Sequence, residues 1–490
     1  VTGVQTCALP ISLHEAHMTT PSTGIVWFRR DLRLHDNPAL TAAVEGCDAI
    51  VPLFVRPNAA AAWFPGDPQC WWLAETLGQL AERLGEEGHE LTLRHGDPVD
   101  EIADVASRTG AETLFLNEHT FEPDPRSSVV DSLREHLDVR SFDGRILHDP
   151  EAVETTSGGP YHVFTPFWRR FRDIVEIPDL LDVPPLSGAR PTEADLDSVP
   201  PAELFDAPAN DSYSEYWQPG EESALQRLDS FVSSSLDQYP DRRDRPDLDG
   251  TSRLSPHLHF GEVSPRRIWH RVVEQRDGPE LSDAQEMFLR QLAWREFSFH
   301  LLYHYPETTA DPLKQKFASF PWEDNAEFAE RWKKGRTGYP IVDAGMRQLA
   351  RTGWMHNRVR MIVASFLTKD LLVPWQTGAR WFWEHLVDAD LANNTMGWQW
   401  AAGCGADAQP FFRIFNPVSQ SERHDPQGTY LRRYLPQLAQ LPDSAIHAPW
   451  RADEEVLRDA GVELGEDYPQ PIVDHAEARR IALDAWERIK

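Results

Sequence analysis

From Gly24 to about Pro150 the chain switches repeatedly between two hydrophobic patterns. Short apolar, β-branched runs, GIVWF, AIVPLFV, ELTLRHG and TLFLNE, have the length and content of strands. Between them apolar residues recur at helical spacing, from about Pro38 to Val44, Gln69 to Leu84, Val99 to Ala106 and Arg126 to Leu137. Strand and helix in alternation imply right-handed βαβ units and a doubly wound parallel sheet, whose ligands bind at the carboxyl ends of the strands. The domain is expected over residues 22–150. It carries neither GxGxxG nor a Walker A loop, so a nucleotide-like ligand would be held without either phosphate fingerprint. Residues 151–220 are rich in Pro, Asp and Ser and read as an interdomain linker, with one aromatic island, GGPYHVFTPFWRRFRDI, docked onto the fold. From Glu221 strand signals give way to amphipathic helices, and residues 221–490 are expected to form an all-α domain.

Three stretches of that helical part break the ordinary core pattern. Between Gly353 and Pro417, Trp354, Trp375, Trp398 and Trp400 lie among Asn, Asp and Arg. Trp354, Val359, Ile362 and Phe366 recur at helical spacing, yet Asn357, Arg358 and Arg360 share the run, where a buried amide or guanidinium is costly unless paired. A ligand with polar edges would supply the partners. GTSRLSPHLHFGEVSPRR is a loop leading into a helix, and Thr251, Ser252 and Ser255 are N-cap types, which more often cap a helix than cradle an anion. MFLRQLAWREFSFHLLYHYP sets Gln291, Arg295 and Arg290 as a polar stripe on an apolar cylinder, with Trp294 beside it. A buried ion pair of Arg295 is the plain explanation, and a ligand site the sharper one.

Charge and cysteine content narrow the setting. The chain has 490 residues and a formal net charge of -30, from 78 acidic and 48 basic residues. Taken globally this argues against nucleic acid, although an acidic, Lys-poor chain also suits a high-salt, halophilic cytoplasm, where a local groove matters more than the sum. One segment, from Lys333, Lys334 and Arg336 through Arg347, Arg351, Arg358 and Arg360 to Lys369, is locally basic. Cys7, Cys47, Cys70 and Cys404 show neither metal-ligand spacing nor a disulfide framework, which points to a reducing, cytoplasmic location. No apolar run reaches spanning length, so no membrane partner is expected. The opening VTGVQTCALPIS resembles translated adapter sequence, and residues 1–21 are expected to lie outside the fold.

In order along the chain, WFRRDLRLHDNPAL, GTSRLSPHLHFGEVSPR, QLAWREF, FPW, GRTGYPIVDAGMRQL, GWMHNRVRMIVASFLTKDLLVPW and DADLANN with GWQWAA and FRIFNP resemble the class I cyclobutane pyrimidine dimer photolyases of the photolyase/cryptochrome family. The resemblance covers nearly the whole chain from Gly24 and implies a deoxyribodipyrimidine photo-lyase, a monomer that acts on UV-damaged DNA. It implies FAD in the helical domain and a second, antenna chromophore in the α/β domain. Deazaflavin is favoured there over reduced folate, because Asn117 to Arg126 departs from the folate pattern. By the same resemblance Tyr239, Thr251, Ser252, Arg253, Leu254 and Ser255 would hold the FAD phosphates and ribityl chain. Arg295, Asn357, Arg360, Asp388, Asp390 and Asn394 would line the flavin, with Arg360 and Asp388 paired. Trp322, Trp375 and Trp398 would relay electrons, while their alternative role is core packing. Trp294, Asn357, Arg358, Met361, Trp400 and Arg413 would meet DNA. The implied reaction is blue-light-driven electron transfer from reduced FAD to the dimer, ring splitting and return of the electron, the cofactor supplying the chemistry. Asn357 after the histidine, Trp400 in WQW and a chain ending soon after the helical domain favour the dimer enzyme over related types. Gln291 departs from the family's Glu, and keeps open a cryptochrome-type photosensor without repair activity.

Overall fold

The computed structural model describes residues 22–58, 63–118, 129–191, 194–205, 211–276, 278–407 and 412–490. Strands β1 (Thr23–Phe28), β2 (Ala49–Pro57), β3 (Thr92–Gly96), β4 (Thr113–Asn117) and β5 (Asp138–Phe142) form a parallel sheet in the order β3-β2-β1-β4-β5. A short β6 (Arg190–Pro191), from the region expected to be linker, pairs with the start of β2. Helices α1 (Pro38–Gly46), α2 (Asp67–Glu86), α3 (Pro98–Thr109) and α4 (Val129–Arg134) follow the strands as expected. The period-two split of strand side chains explains the two layers. Val26, Phe28, Ile50 and Phe54 join one core with residues of α1 and α2, whereas Ile25, Trp27, Val51 and Leu53 join another with residues of α3. Asn37 and Asp97 cap α1 and α3 through their side chains, each followed by a proline at the first helical position.

Two elements differ from expectation. β5, DVRSF, was not anticipated, because it pairs on one side only and is mostly polar and half-exposed, so no apolar run marks it. The helix expected from Arg126 to Leu137 is described only as Val129–Arg134. Residues 119–128, which include most of the stretch that bore on the antenna, lie outside the described residues.

Beyond Glu221 helices carry the fold, and among the described residues no strand follows β6. The aromatic island forms α5 (Phe164–Ile174), whose Phe164, Phe167, Trp168 and Phe171 are buried against the helical part. Phe164 stacks on Trp294 with ring centroids 3.7 Å apart.

Buried polar joints fix the sheet to the helices. Glu262, fully buried, accepts hydrogen bonds from Trp72 Nε1 at 2.7 Å and Thr76 Oγ1 on α2 and from Gly220 N at 2.8 Å, and it pairs with His257. Asp36 meets Arg266 at 3.0 Å, and Arg33 donates to Gly261 O at 3.0 Å. Gly261 has φ +70, and a Cβ there would fall 2.0 Å from Arg30 O, so this joint needs glycine. Removing the Glu262 carboxylate strands several buried donors at once. Glu262→Ala is therefore expected to lower unfolding free energy by about 3 kcal/mol or more. Exposed Glu274→Ala should change it by less than about 0.5 kcal/mol. Denaturant unfolding followed by tryptophan fluorescence checks both.

Candidate functional site: a polar cavity in the helical part

The helices enclose a cavity of about 680 Å³, within the roughly 300–1,000 Å³ range of small-molecule and cofactor sites. The Asp283–His304 helix, started by a reciprocal capping box of Ser282 and Gln285, presents Gln291, Trp294 and Arg295 to it. The Asn357–Ser365 helix contributes Asn357, Arg358, Arg360 and Met361, and the Leu391–Ala402 helix contributes Asn394, Trp398 and Trp400. Asp388, Asp390, Tyr239, Thr251, Ser252, Leu254 and Ser255 complete the expected set along the same wall. Arg253, Trp322, Trp375 and Arg413 are not among the lining residues. Arg253, at φ +52, pairs with Asp249 at 3.0 Å and lies 5.6 Å from the Trp354 ring. The Arg413 guanidinium sits over Phe415, 4.8 Å from its centroid, and its carbonyl accepts from Lys369.

The lining charges are already paired. Arg360 Nη2 donates to both oxygens of Asp388, at 3.0 and 2.8 Å, and Arg360 Nε donates to Met355 O at 2.7 Å. Asp390 caps the Leu391–Ala402 helix through Asn393 N at 2.9 Å, takes Asn393 Nδ2 at 2.7 Å and faces Arg145 Nη2 at 3.4 Å. Burial alone would raise the Asp390 pKa. His259, Arg145 and Arg295 together outweigh it and hold the carboxyl well below the usual range, so Asp390 is an anion at neutral pH. Arg295 Nη1 pairs with the fully buried Glu296 at 3.0 Å, the ion pair that the sequence left open. Arg295 Nη2 is buried with no hydrogen-bond partner, although its residue lines the cavity. A buried guanidinium N–H without a partner is expensive, and a ligand oxygen or ring nitrogen would satisfy it. This donor set fits an anionic, polar-edged cofactor such as FAD.

The expected serine and threonine capping is not what the loop does. Leu254 occupies the N-cap of the Ser255–Phe260 helix without a side-chain cap bond, Ser255 is its first residue, and Ser252 Oγ accepts only from Leu254 N at 3.4 Å. Hydroxyls of Thr251 and Ser255 are thus not committed to capping. The basic segment is only partly open: Lys334, Arg336 and Arg351 are exposed, but its other cations are buried or engaged. Lys369 is buried, Lys333 pairs with Glu330 at 2.9 Å, Arg347 donates to Gln437 at 3.1 Å, and Arg358 pairs with Asp244 at 2.6 Å.

Residues 24–186 match the family model described as DNA photolyase, and residues 288–488 match that of the FAD binding domain of DNA photolyase. The curated deoxyribodipyrimidine photo-lyase of Agrobacterium fabrum is 44% identical over 95% of this chain and 98% of its own length. The chain belongs to the photolyase/cryptochrome family. Arabidopsis thaliana cryptochrome-1 is 39% identical over 93% of this chain and 69% of that protein. A crystal structure titled a bacterial class III photolyase from Agrobacterium tumefaciens superposes with a TM-score of 0.90 at 43% identity, covering 97% of this chain and 99% of that one.

In this family member Trp398 is seated by a glycine. A Cβ on Gly378 would fall 2.0 Å from the Trp398 ring, so the indole lies directly on the Trp375–His385 helix backbone. The Trp398 ring contacts are with Phe382 at 4.9 Å and fully buried Trp332 at 6.1 Å. Trp375 is buried at the head of that helix, and half-buried Trp322 packs on Phe320 at 4.5 Å. Sequence reasoning missed Arg243, Asn393 and His259, all on the cavity wall. Arg243 is the C-cap of the short Tyr239–Arg242 helix, inside a charged run that carries no sequence signal for a buried wall.

His356 caps the Asn357–Ser365 helix, its Nδ1 accepting from Arg358 N at 3.2 Å. Burial, with Arg358 and Arg360 nearby, pulls its pKa down to about 3 against the partial opposition of Asp244. The folded state therefore keeps this histidine neutral between about pH 6.5 and 3, while the unfolded chain binds a proton there. Its contribution is complete above pH 6.5 and should fall by about 1.4 kcal/mol for each pH unit below it. His356→Asn, which retains a capping side chain, should flatten the stability profile between pH 6.5 and 5 by that slope, as read from unfolding curves.

Proposed function

We propose that this chain binds FAD in the helical cavity and is a light-driven DNA lyase that splits cyclobutane pyrimidine dimers. The carrying observation is one cavity that combines the Arg360–Asp388 pair and the unpartnered Arg295 N–H with the apolar surfaces of Trp294 and Trp400. Bound reduced FAD would supply blue-light-driven electron transfer to the dimer and recovery of the electron. The chain's residues supply position and electrostatics.

Tyr239, Thr251, Ser252, Leu254 and Ser255 would hold the phosphates and ribityl chain, with Arg253 acting from outside the wall. Arg295, Arg360, Asp388 and Asp390 would frame the ring system. Asn394, whose Nδ2 donates to Ala379 O at 2.9 Å, offers a neutral amide at the ring edge. A dimer must leave the duplex to reach this depth, and its weakened stacking lowers that cost to a few kcal/mol. Trp294, Trp400 and Met361 would wall the flipped lesion, and Asn357 would reach either lesion or cofactor. Arg358 would exchange Asp244 for a phosphate, and Arg413 would meet backbone without reading sequence. Trp398, Trp375 and Trp322 would deliver electrons to the flavin. A second chromophore, deazaflavin in our reading, would sit at the carboxyl edge of the sheet. Within the family, the 43% identity to an enzyme titled class III weighs for that class against class I.

The second reading is a photosensor, favoured by the neutral Gln291 and by the similarity to cryptochrome-1. Reduced, FAD-loaded protein is expected to restore thymines in a dimer-containing oligonucleotide under blue light and not in darkness. Absence of repair alongside intact flavin photochemistry would favour the sensor. Trp398→Phe is expected to slow flavin photoreduction by at least about tenfold, about 1.4 kcal/mol on a rate, and an unchanged rate would remove Trp398 from the relay.

A further inference from the structure

His259, on the Ser255–Phe260 helix, is buried on the cavity wall, and its ring is held from the α/β domain. Its Nε2 lies 3.1 Å from Oε1 of fully buried Gln69 on α2, and Gln69 Nε2 donates to Trp383 O on the Trp375–His385 helix at 3.0 Å. A backbone carbonyl can only accept, so the Gln69 amide is fixed with its oxygen toward the imidazole, and His259 Nε2 carries a hydrogen. The other ring nitrogen, Nδ1, faces Asp390 Oδ2 at 3.9 Å. A neutral ring already protonated at Nε2 would set its Nδ1 lone pair against that carboxylate, whereas a second proton makes the contact an ion pair. Two guanidinium groups oppose this proton. Arg145 faces the same Asp390 oxygen at 3.4 Å and donates to His259 O at 3.2 Å, and Arg30 lies over the adjoining Phe260 ring at 4.9 Å. On the same helix His257 is turned away to Glu262. At this end of the cavity Arg145, Arg295 and Arg360 are matched by Asp390, Glu296 and Asp388, so a charged His259 leaves one positive charge in excess.

From this geometry we infer that His259 is a buried imidazolium, locked by Gln69 of the α/β domain, whose charge favours the anionic, reduced form of a bound flavin over the oxidised form. The inference rests on reading the cavity as the FAD site. His259 acts through charge, as a positioning residue, and its hydrogen-bond lock gives α2 of the sheet domain a part in setting the cavity's electrostatics. A neutral side chain of similar size at position 259 could keep the bond to Gln69 but would leave the wall without its surplus charge.

Two measurements test this on the full chain. Nitrogen NMR of histidine-labelled, flavin-free protein at about pH 7, with His259→Asn used to assign the ring, is expected to show both His259 nitrogens protonated. Anaerobic titration with oxidised FAD and with dithionite-reduced FAD then compares wild type, His259→Asn and Gln69→Met. His259→Asn is expected to lower the reduced-to-oxidised affinity ratio about tenfold, the scale of one wall charge at an effective dielectric constant of about 20. Gln69→Met, which removes only the lock, should lower the same ratio at least about threefold from outside the cavity. A singly protonated His259 ring, or equal loss of affinity for both flavin states in the variants, would make these residues structural and overturn the inference alone. Failure of wild type to bind FAD in either state would overturn the FAD reading, and the inference with it.

Discussion

Arg360 and Asp388 meet side by side at the cavity wall, and a charge pair in that position is stable only while both partners remain. Buried ion pairs contribute little net stability over apolar packing, whereas breaking one costs about 3–5 kcal/mol. The helical domain multiplies this constraint. Arg295 leans on Glu296, Glu296 also accepts from Leu147 N at 2.7 Å and pairs with His148 at 3.0 Å, and Asp390 depends on Arg145. A wall of this kind costs stability that a plain core would not, and it resists collapse into the cavity because every inward move would strand a charge.

The same constraint ties the two halves of the chain together. Arg145 and His148 lie just past β5, yet their partners Asp390 and Glu296 are in the helical part. Glu262 gathers α2, Gly220 and His257 at one buried point. The sheet therefore supports the cavity directly. At the carboxyl ends of β1 and β4, where the strand order reverses, Asn117 donates to Asp31 at 2.6 Å and to Asn37 at 2.8 Å. That crevice is where doubly wound sheets take ligands.

What could be read from the chain beforehand follows from burial. β1 and β2 are covered on both faces and announce themselves as apolar runs, whereas β5 lies at an edge and does not. Gln291, Arg295 and Arg360 stood out because polar groups interrupt otherwise apolar helices. Arg243 did not, since YPDRRDRPD reads as an exposed, charged loop and only the fold turns it toward Gln291. The basic segment misled for the converse reason. Lys369 looks like a surface charge, but it sits in the π-turn Phe366–Asp370 after the Asn357–Ser365 helix, buried against Phe412 at 4.6 Å, where its pKa is pushed down to about 7 by desolvation. Leu254 at an N-cap likewise follows no local preference; the neighbouring hydroxyls are placed toward the cavity instead.

The central claim is that this paired wall is built around one missing partner, the ligand of Arg295. Titration of flavin-stripped protein with FAD, for wild type and Arg295→Met, tests it most directly. The account predicts one FAD per chain and a loss of affinity of at least about tenfold in the variant, the scale of one charge-assisted hydrogen bond, measured where both flavin-free proteins are folded, because the variant also strands buried Glu296 and unfolds at a lower midpoint. Equal affinity in both proteins, or no FAD binding at all, would contradict it.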